Sequence, residues 1–146
     1  MSKFQYQFQN ILDIKTKFEE QEKINFQAAS VRLKSEQDHL VELVKRKGSY
    51  EKEVRALSSG KMNLIKLKDA TQAVELMKRK IADQTVVVNH AQRQLDQARY
   101  RLQEVMIEKK TFEKLKERRF EAFIQEEQGI ENRMTDEQNT FRSRKQ

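Results

Sequence analysis

A long apolar stripe constrains the fold of this chain more than any other feature of its sequence. Between Leu67 and Phe112 the stripe advances in steps of three and four residues, and Gln84 and Lys109 are its only polar members. Such a pattern averages about 3.5 residues per repeat, which keeps the side chains on one side of a slightly underwound helix. A lone helix would leave this stripe in water, so the pattern predicts a helical partner. The stripe consists of Leu67, Ala70, Val74, Met77, Ile81, Gln84, Val88, Ala91, Leu95, Ala98, Leu102, Val105, Lys109 and Phe112.

The composition agrees with long helices. The 146 residues include no proline and three glycines, and hydrophobic and charged residues each make up 36%. This balance is typical of coiled coils. The absence of cysteine excludes disulfides and thiolate metal sites. There is no signal-peptide pattern and no apolar run near the roughly 18 residues of a membrane span, so we expect a cytoplasmic protein that associates with membranes only peripherally.

A second stripe runs through the first part of the chain, from Phe4 to Leu57. Alternate aromatic residues at its start would also fit a strand, but the apolar spacing that follows predicts a helix from about Phe4. Two consecutive steps of four, from Phe18 through Glu22 to Phe26, predict a local relaxation of the supercoil. The stripe consists of Phe4, Phe8, Ile11, Lys15, Phe18, Glu22, Phe26, Ala29, Leu33, Glu36, Leu40, Leu43, Lys47, Tyr50, Val54 and Leu57.

The segment from Ser58 to Asn63 predicts a turn between the two helices. Gly60 can adopt the left-handed conformation that ends a helix, and Asn63 is a good N-cap for the next one. Met62 and Leu67 occupy the positions of a hydrophobic staple. Because so short a linker folds two helices back on each other, we predict an antiparallel hairpin.

We therefore predict a single all-α domain over residues 1–146, a long antiparallel two-helix coiled coil whose second helix is the longer. Helix one spans about residues 4–57, the turn 58–63 and helix two about 64–140, with an overhang from about residue 118. Gly129 and the polar segment around residues 135–140 predict fraying near the end. An apolar face of the overhang lacks an internal partner, which indicates an external one; it carries Phe120, Phe123, Ile130, Met134 and Phe141, with Glu127 interrupting it.

Motifs for catalysis or metal binding are absent from the sequence. His39 and His90 are the only histidines, and on a hairpin they would lie too far apart to share a metal ion. A two-helix hairpin also offers no catalytic pocket, so we predict a protein that is not an enzyme and binds no cofactor. Basic clusters at residues 45–47, at Lys66 and Lys68, and at residues 78–80 are interspersed with acids. A solvated helix surface explains them best, followed by an acidic protein partner and then by nucleic acid or lipid.

The chain resembles the flagellar export protein FliJ family along nearly its whole length. The resemblance begins with Phe4-Gln5-Tyr6 and Phe8-Gln9-Asn10-Ile11-Leu12-Asp13-Ile14-Lys15, followed by the acids Glu19, Glu20 and Glu22. The turn Leu57-Ser58-Ser59-Gly60 and the segment Phe112-Glu113-Lys114-Leu115-Lys116-Glu117-Arg118 are also similar to the family. Phe18 departs from the pattern, since we would expect a charged residue at that position.

This resemblance implies a soluble part of the flagellar type III export apparatus. In that family the coiled coil is similar to the central stalk of rotary ATPases. It binds the hexameric export ATPase (FliI-like), contacts the membrane export gate protein (FlhA-like) and assists export chaperones. We accordingly expect a protein that is monomeric when free, that binds no nucleic acid and that sits at the cytoplasmic face of the cell membrane.

Carried onto this sequence, the resemblance implies that the end bearing the chain termini enters the ATPase ring. The candidates there are Phe4, Phe8, Ile11, Leu12, Phe120, Phe123, Ile130 and Met134. The gate contact would lie on the hairpin body, at Tyr50, Val74 and Met77. Packing within the stripes is the competing interpretation for most of these residues. A generic coiled-coil scaffold, a nucleic-acid-binding hairpin and the stalk of a virulence-type secretion system are the alternative functions.

Overall fold

Two long helices make up the fold. The computed structural model describes residues 3–60 and 63–144, in which α1 spans Gln9–Ser58 and α2 spans Leu64–Arg144. The helices contain 50 and 81 residues and pack against each other, and the described residues include no strand. The predicted all-α pair of helices with a longer second member is confirmed.

Side-chain hydroxyls complete the end of α1. Ser58 Oγ donates to the Val54 carbonyl at 2.7 Å and Ser59 Oγ donates to the Ala56 carbonyl at 3.2 Å. The prediction of a left-handed Gly60 is wrong, since its φ is not positive. The serine hydroxyls bind carbonyls of the last turn that a left-handed cap would otherwise satisfy.

The predicted cap of α2 is confirmed. The Asn63 side-chain oxygen accepts from the Lys66 amide at 3.2 Å, and the Asn63 carbonyl accepts from the Leu67 amide at 2.9 Å. These bonds satisfy amide groups of the first turn, which have no partner within the helix. The proposed staple involves Met62, which lies outside the described residues, so it stays a prediction.

The chain divides into two compact units. Unit 2 is continuous and covers Glu22–Leu102, whereas unit 1 combines the described parts of residues 1–21 and 103–146. Each unit contains segments of both helices in antiparallel pairing, because early residues of α1 contact late residues of α2. These two units do not decide whether residues 1–146 form a single domain, and the single domain stays a prediction.

In unit 2 the two stripes pack as predicted. Leu33, Ala91 and Leu95 form a buried cluster, against which Phe26, Ala29 and Val88 pack. All the stripe residues of α2 from Leu67 to Leu102 are buried or half-buried. Each helix contributes a single stripe to this interface, so each buried side chain contributes a large share of the apolar area that unit 2 removes from water.

One polar layer interrupts this apolar interface. Gln84 is buried on α2, and its amide donates to both the carbonyl and the carboxylate of Glu36, at 3.0 and 2.6 Å. Two polar members of the predicted stripes, one from each helix, thus satisfy one another. A buried amide left without this partner would cost about 1–3 kcal/mol, so the pair favours this register over slipped ones.

The start of α1 differs from the prediction. Residues 3–6 are not helical, 7 and 8 form a turn, and α1 begins at Gln9 instead of about Phe4. The first predicted stripe positions are also wrong by one residue, because Leu12 and not Ile11 is buried, and Glu19 and not Phe18 turns inward. With Leu12 and Glu19 in place, the steps alternate regularly between three and four, and the predicted relaxation of the supercoil disappears.

The end of α2 also differs from the prediction. The helix continues through Gly129 and the polar segment to Arg144, without fraying at residues 135–140. Gly129 costs only about 1 kcal/mol relative to alanine, which a helix of this length tolerates. None of the described helices is long and apolar enough to span a membrane.

Truncation of a buried stripe residue is expected to destabilise the hairpin. Leu43 is 3% exposed, so Leu43→Ala should lower the free energy of unfolding by about 2–4 kcal/mol, through lost burial and the cavity that remains. Val41 on the same helix is 52% exposed, and Val41→Ala should change the free energy of unfolding by less than about 0.5 kcal/mol. Urea unfolding followed by circular dichroism measures both. Equal losses in the two variants would contradict the assigned register.

Candidate functional site

Residues 4–8 of unit 1 precede α1 and lie on α2 in a non-helical conformation. We call this aromatic segment the strap. Tyr6 is buried, and its hydroxyl donates to the Phe112 carbonyl at 2.9 Å. The Tyr6 and Phe8 rings meet edge to face at 5.9 Å, and Phe8 lies 6.2 Å from the Phe112 ring. Residues at alternate positions along an extended backbone share one face, so Phe4, Tyr6 and Phe8 turn towards α2 while Gln5 and Gln7 stay exposed.

Phe4 extends the strap to two further rings of α2. Its centroid lies 5.2 Å from that of Phe120 in an edge-to-face arrangement and 5.5 Å from that of Phe123. Offset and edge contacts of this kind add about 0.5–1.5 kcal/mol to the burial of the rings. We call Phe4, Phe120 and Phe123 the aromatic triad. Phe4 and Phe123 are half-buried and Phe120 is exposed, so the triad presents ring surface to solvent.

A cation borders this aromatic surface. The Arg119 guanidinium lies 5.1 Å from the centre of the Phe8 ring and donates to the Gln7 side-chain oxygen at 3.2 Å. A guanidinium over a ring contributes about 0.5–1 kcal/mol at exposed sites. Arg119 therefore stabilises the strap on α2 while its remaining N–H groups stay available to an anionic partner.

Next to the strap, the interface between the helices becomes ionic. Lys109 on α2 pairs with Glu19 at 3.3 Å and with Glu113 at 3.6 Å, and Lys15 pairs with Glu108 at 2.6 Å. Lys15, Glu19 and Lys109 occupy positions of the kind that are mostly apolar in unit 2. The hydrogen bond that Lys109 donates to Glu19 is the main cause that raises the pKa of Lys109 above its ordinary 10.5. The charges of Glu19 and Glu113 raise this pKa further, and desolvation opposes them.

The last part of α2, residues 120–144, which we call the tail, carries an apolar stripe of its own. Phe120 and Met134 are spaced by a multiple of seven residues, as are Phe123 and Ile130, and the two series alternate in steps of three and four. Ile130 and Met134 are 36% and 59% exposed. We call Phe120, Phe123, Ile130 and Met134 the tail stripe.

Two acids share this stripe. Glu127 occupies the heptad position between Phe123 and Ile130, and Glu137 occupies the one after Met134. The tail stripe is also rotated relative to the stripe that ends at Phe112, because the connecting positions Lys116 and Phe120 follow in two steps of four. Such steps relax the supercoil locally, so the tail turns a different face outward than a continuous heptad would.

The structure brings together some of the predicted ATPase-binding residues and separates others. Phe4, Phe8, Phe120 and Phe123 belong to the strap and the triad, and Ile130 and Met134 lie on the tail. Leu12 is buried between the helices, whereas Ile11 is 38% exposed on the adjacent face of α1. Of the predicted set, Ile11, Phe120, Ile130 and Met134 are exposed, and only Leu12 is buried. The half-buried members are Phe4, Phe8 and Phe123.

The predicted gate-binding residues all lie in the interface of unit 2. Val74 and Met77 are buried, and Tyr50 is half-buried. Of the three, only Tyr50 offers substantial surface to a partner. Any contribution of Val74 and Met77 would therefore act through the packing that holds the neighbouring surface in place.

The sequence interpretation missed Tyr6, Arg119 and Glu19. The signal for Tyr6 was present, since alternate spacing of three aromatics indicates an extended segment, but the helical spacing after it was given more weight. The inward position of Glu19 follows from its ion pair with Lys109, and no local pattern contains that partner. His39 and His90 are both exposed, and no group of three candidate metal ligands occurs among residues 3–60 and 63–144.

The ion pair beneath the strap provides a test of this geometry. Glu19→Gln should lower the pKa of Lys109 towards 10.5, because the largest cause of its elevation is removed. Since folding raises this pKa, protonated Lys109 stabilises the folded state through its ion pairs. This stabilisation is fully present below about pH 10.5 and is lost as pH rises through the raised pKa. An NMR titration of the lysine side chain measures the pKa, with the exposed Glu20→Gln as control. An unchanged pKa in Glu19→Gln would exclude the pairing in solution.

Comparison with known proteins assigns the chain to a family. It matches the family of the flagellar FliJ protein over residues 4–146, which is nearly its full length. Comparisons with curated proteins and with solved structures gave no significant match. The matched residues include both helices, the strap and the tail. This chain belongs to the FliJ family of flagellar, export-related coiled-coil proteins.

Proposed function

We propose that this protein binds the hexameric export ATPase of the flagellar type III apparatus through the aromatic triad and the tail stripe. It couples the ATPase to the membrane export gate and assists export chaperones as a component that is not an enzyme. In this role it works at the cytoplasmic face of the cell membrane. Family membership supports a place in flagellar export, and the geometry of unit 1 supports this choice of surface.

One observation carries the proposal. The tail continues as helix to Arg144 with a heptad stripe, although Ile130 and Met134 remain exposed. Exposed apolar residues at heptad spacing are the pattern by which a helix fits a groove or a second helix. The aromatic triad extends this surface with large, rigid rings, the side chains that most often dominate binding energy at protein interfaces.

The two acids of the stripe restrict the chemistry of the partner. Glu127 and Glu137 would be desolvated beside Ile130 and Met134 when the stripe is covered. A desolvated carboxylate requires a cation or several donors, so the groove on the ATPase should present lysine or arginine opposite them. A parallel pair of tails would instead place identical carboxylates together, which disfavours self-association through this face.

The gate contact is proposed on unit 2 around Tyr50, with Val74 and Met77 beneath it. The exposed cations of this body favour an acidic protein surface as the partner. In this proposal, export chaperones bind the same protein, which assists them by binding alone and catalyses no reaction. This division gives the ATPase and the gate different residues, which allows each contact to be removed separately.

Substitution of the tail stripe tests the ATPase contact. Ile130→Gln with Met134→Gln should weaken binding to the purified export ATPase by about tenfold or more and reduce stimulation of its turnover, because two apolar anchors are lost. The matched control is Val31→Gln with Val41→Gln, which removes two exposed valines of α1 outside the tail. Removal of all residues after Leu115 should abolish the stimulation. Full stimulation by the truncated chain would refute the proposed contact.

Charge reversal in the stripe tests the chemistry of the partner. Glu127→Lys with Glu137→Lys should weaken ATPase binding more than Glu131→Lys with Glu121→Lys, which changes charge equally away from the stripe. Binding measured at two ionic strengths separates a local pairing from a general charge effect. Equal losses in the two variants would show that the stripe meets no specific cation.

Substitution at Tyr50 tests the gate contact. Tyr50→Ser should reduce binding to the purified gate protein and leave ATPase stimulation unchanged, since Tyr50 lies in unit 2 and the tail in unit 1. Exposed Tyr100→Ser serves as the control for loss of an aromatic residue. Unaltered gate binding in Tyr50→Ser would remove this residue from the contact.

A further inference from the structure

The turn end of unit 2 combines exposed aliphatic residues with a high density of positive charge. Leu64 and Ile65 open α2 with exposed fractions of 70% and 76%, higher than those of Val86 and Ile107 elsewhere on the same helix. From residue 52 to 68 the sequence contains five basic residues and one acid, Glu53, against 30 and 23 in the whole chain, and Glu51 and Asp69 flank this segment. We call Leu64, Ile65, Arg55, Lys66 and Lys68 the basic tip.

We propose that the basic tip docks on the surface of an anionic lipid bilayer, with Leu64 and Ile65 entering the interface between headgroups and acyl chains. Neither aliphatic side chain belongs to the packing between the helices. Arg55, Lys66 and Lys68 are exposed and form no ion pair with any residue in the described ranges 3–60 and 63–144. Their charge is therefore available to lipid phosphates.

The placement of the two aliphatic residues favours a fluid surface over a protein groove. Neighbouring residues of a helix point about 100° apart, so one rigid groove cannot receive both Leu64 and Ile65. A helix that binds a groove presents anchors three, four or seven residues apart. A bilayer approached by the end of a helix accepts side chains in diverging directions, and its headgroups meet the surrounding cations at the same time.

The Asn63 cap fixes the geometry of this tip. Its bonds to the first turn hold the backbone of Leu64 and Ile65 in helical conformation directly after the turn. The aliphatic side chains are thereby ordered before any contact with lipid, which reduces the conformational entropy lost on binding. This proposal goes beyond the ATPase contact and depends on no residue of the tail.

Sedimentation of the full-length protein with vesicles tests the proposal. The wild-type chain should bind vesicles of phosphatidylglycerol and phosphatidylcholine, bind much less to phosphatidylcholine alone, and dissociate as ionic strength rises. Leu64→Gln with Ile65→Gln should lower the partition coefficient by about tenfold to a hundredfold, because two aliphatic side chains no longer enter the bilayer. The matched control, Val86→Gln with Ile107→Gln, should retain wild-type binding.

A second pair of variants tests the charge. Lys66→Gln with Lys68→Gln should lower binding to anionic vesicles by about tenfold, whereas Lys34→Gln with Lys80→Gln should have a much smaller effect. Circular dichroism checks that each variant keeps its helices, and none of these side chains is buried between them.

Three results would overturn the proposal. They are no binding of the wild-type chain to anionic vesicles, equal losses in the tip and control variants, and binding that is independent of lipid charge. If the tip variants bind vesicles like wild type but lose binding to the purified gate protein, the tip belongs to a protein surface instead. ATPase stimulation should persist in every tip variant, so a failure here is distinguishable from a failure of the ATPase contact.

Discussion

The packing of one apolar stripe against another is the interaction on which the rest of the structure depends. In unit 2 the buried cluster of Leu33, Ala91 and Leu95 holds the helices in register, and the pair Gln84 and Glu36 adds a polar layer to the same interface. The apolar contacts supply most of the stabilisation because they remove area from water. The polar layer supplies specificity, since a slipped register would leave a buried amide without a partner.

Unit 1 is stabilised by ion pairs and aromatic contacts more than by buried aliphatic side chains. Its interface contains the pair of Lys109 and Glu19 in place of aliphatic residues, and the strap with Tyr6 adds aromatic burial from outside α1. Ion pairs that remain partly solvated contribute little net stability. The interface between the helices is therefore weaker in unit 1 than in unit 2. The strap compensates by covering a part of α2 that α1, which begins at Gln9, does not reach.

The proposed binding surfaces differ in their chemistry. The tail stripe carries apolar residues at heptad spacing with two acids on the same face, a pattern suited to a structured protein groove with basic residues. The basic tip carries two adjacent aliphatic residues among cations, a pattern suited to a fluid anionic surface. Both surfaces follow from the same limitation, because two helices can bury only one stripe of each and must leave their remaining apolar residues exposed.

Much of the fold could be predicted from the sequence because its determinants are local or periodic. Heptad spacing, the absence of proline and the Asn63 cap act within a few residues along the chain, and they predicted two unequal helices joined by a short turn. Of the candidate site, spacing also predicted the apolar face of the tail. The inward position of Leu12 and Glu19 and the strap of Tyr6 depended on residues of the other helix. Only the tertiary structure decides such contacts, because the energy of packing or pairing a side chain is set by a partner about 50 to 100 residues away and not by its neighbours in sequence.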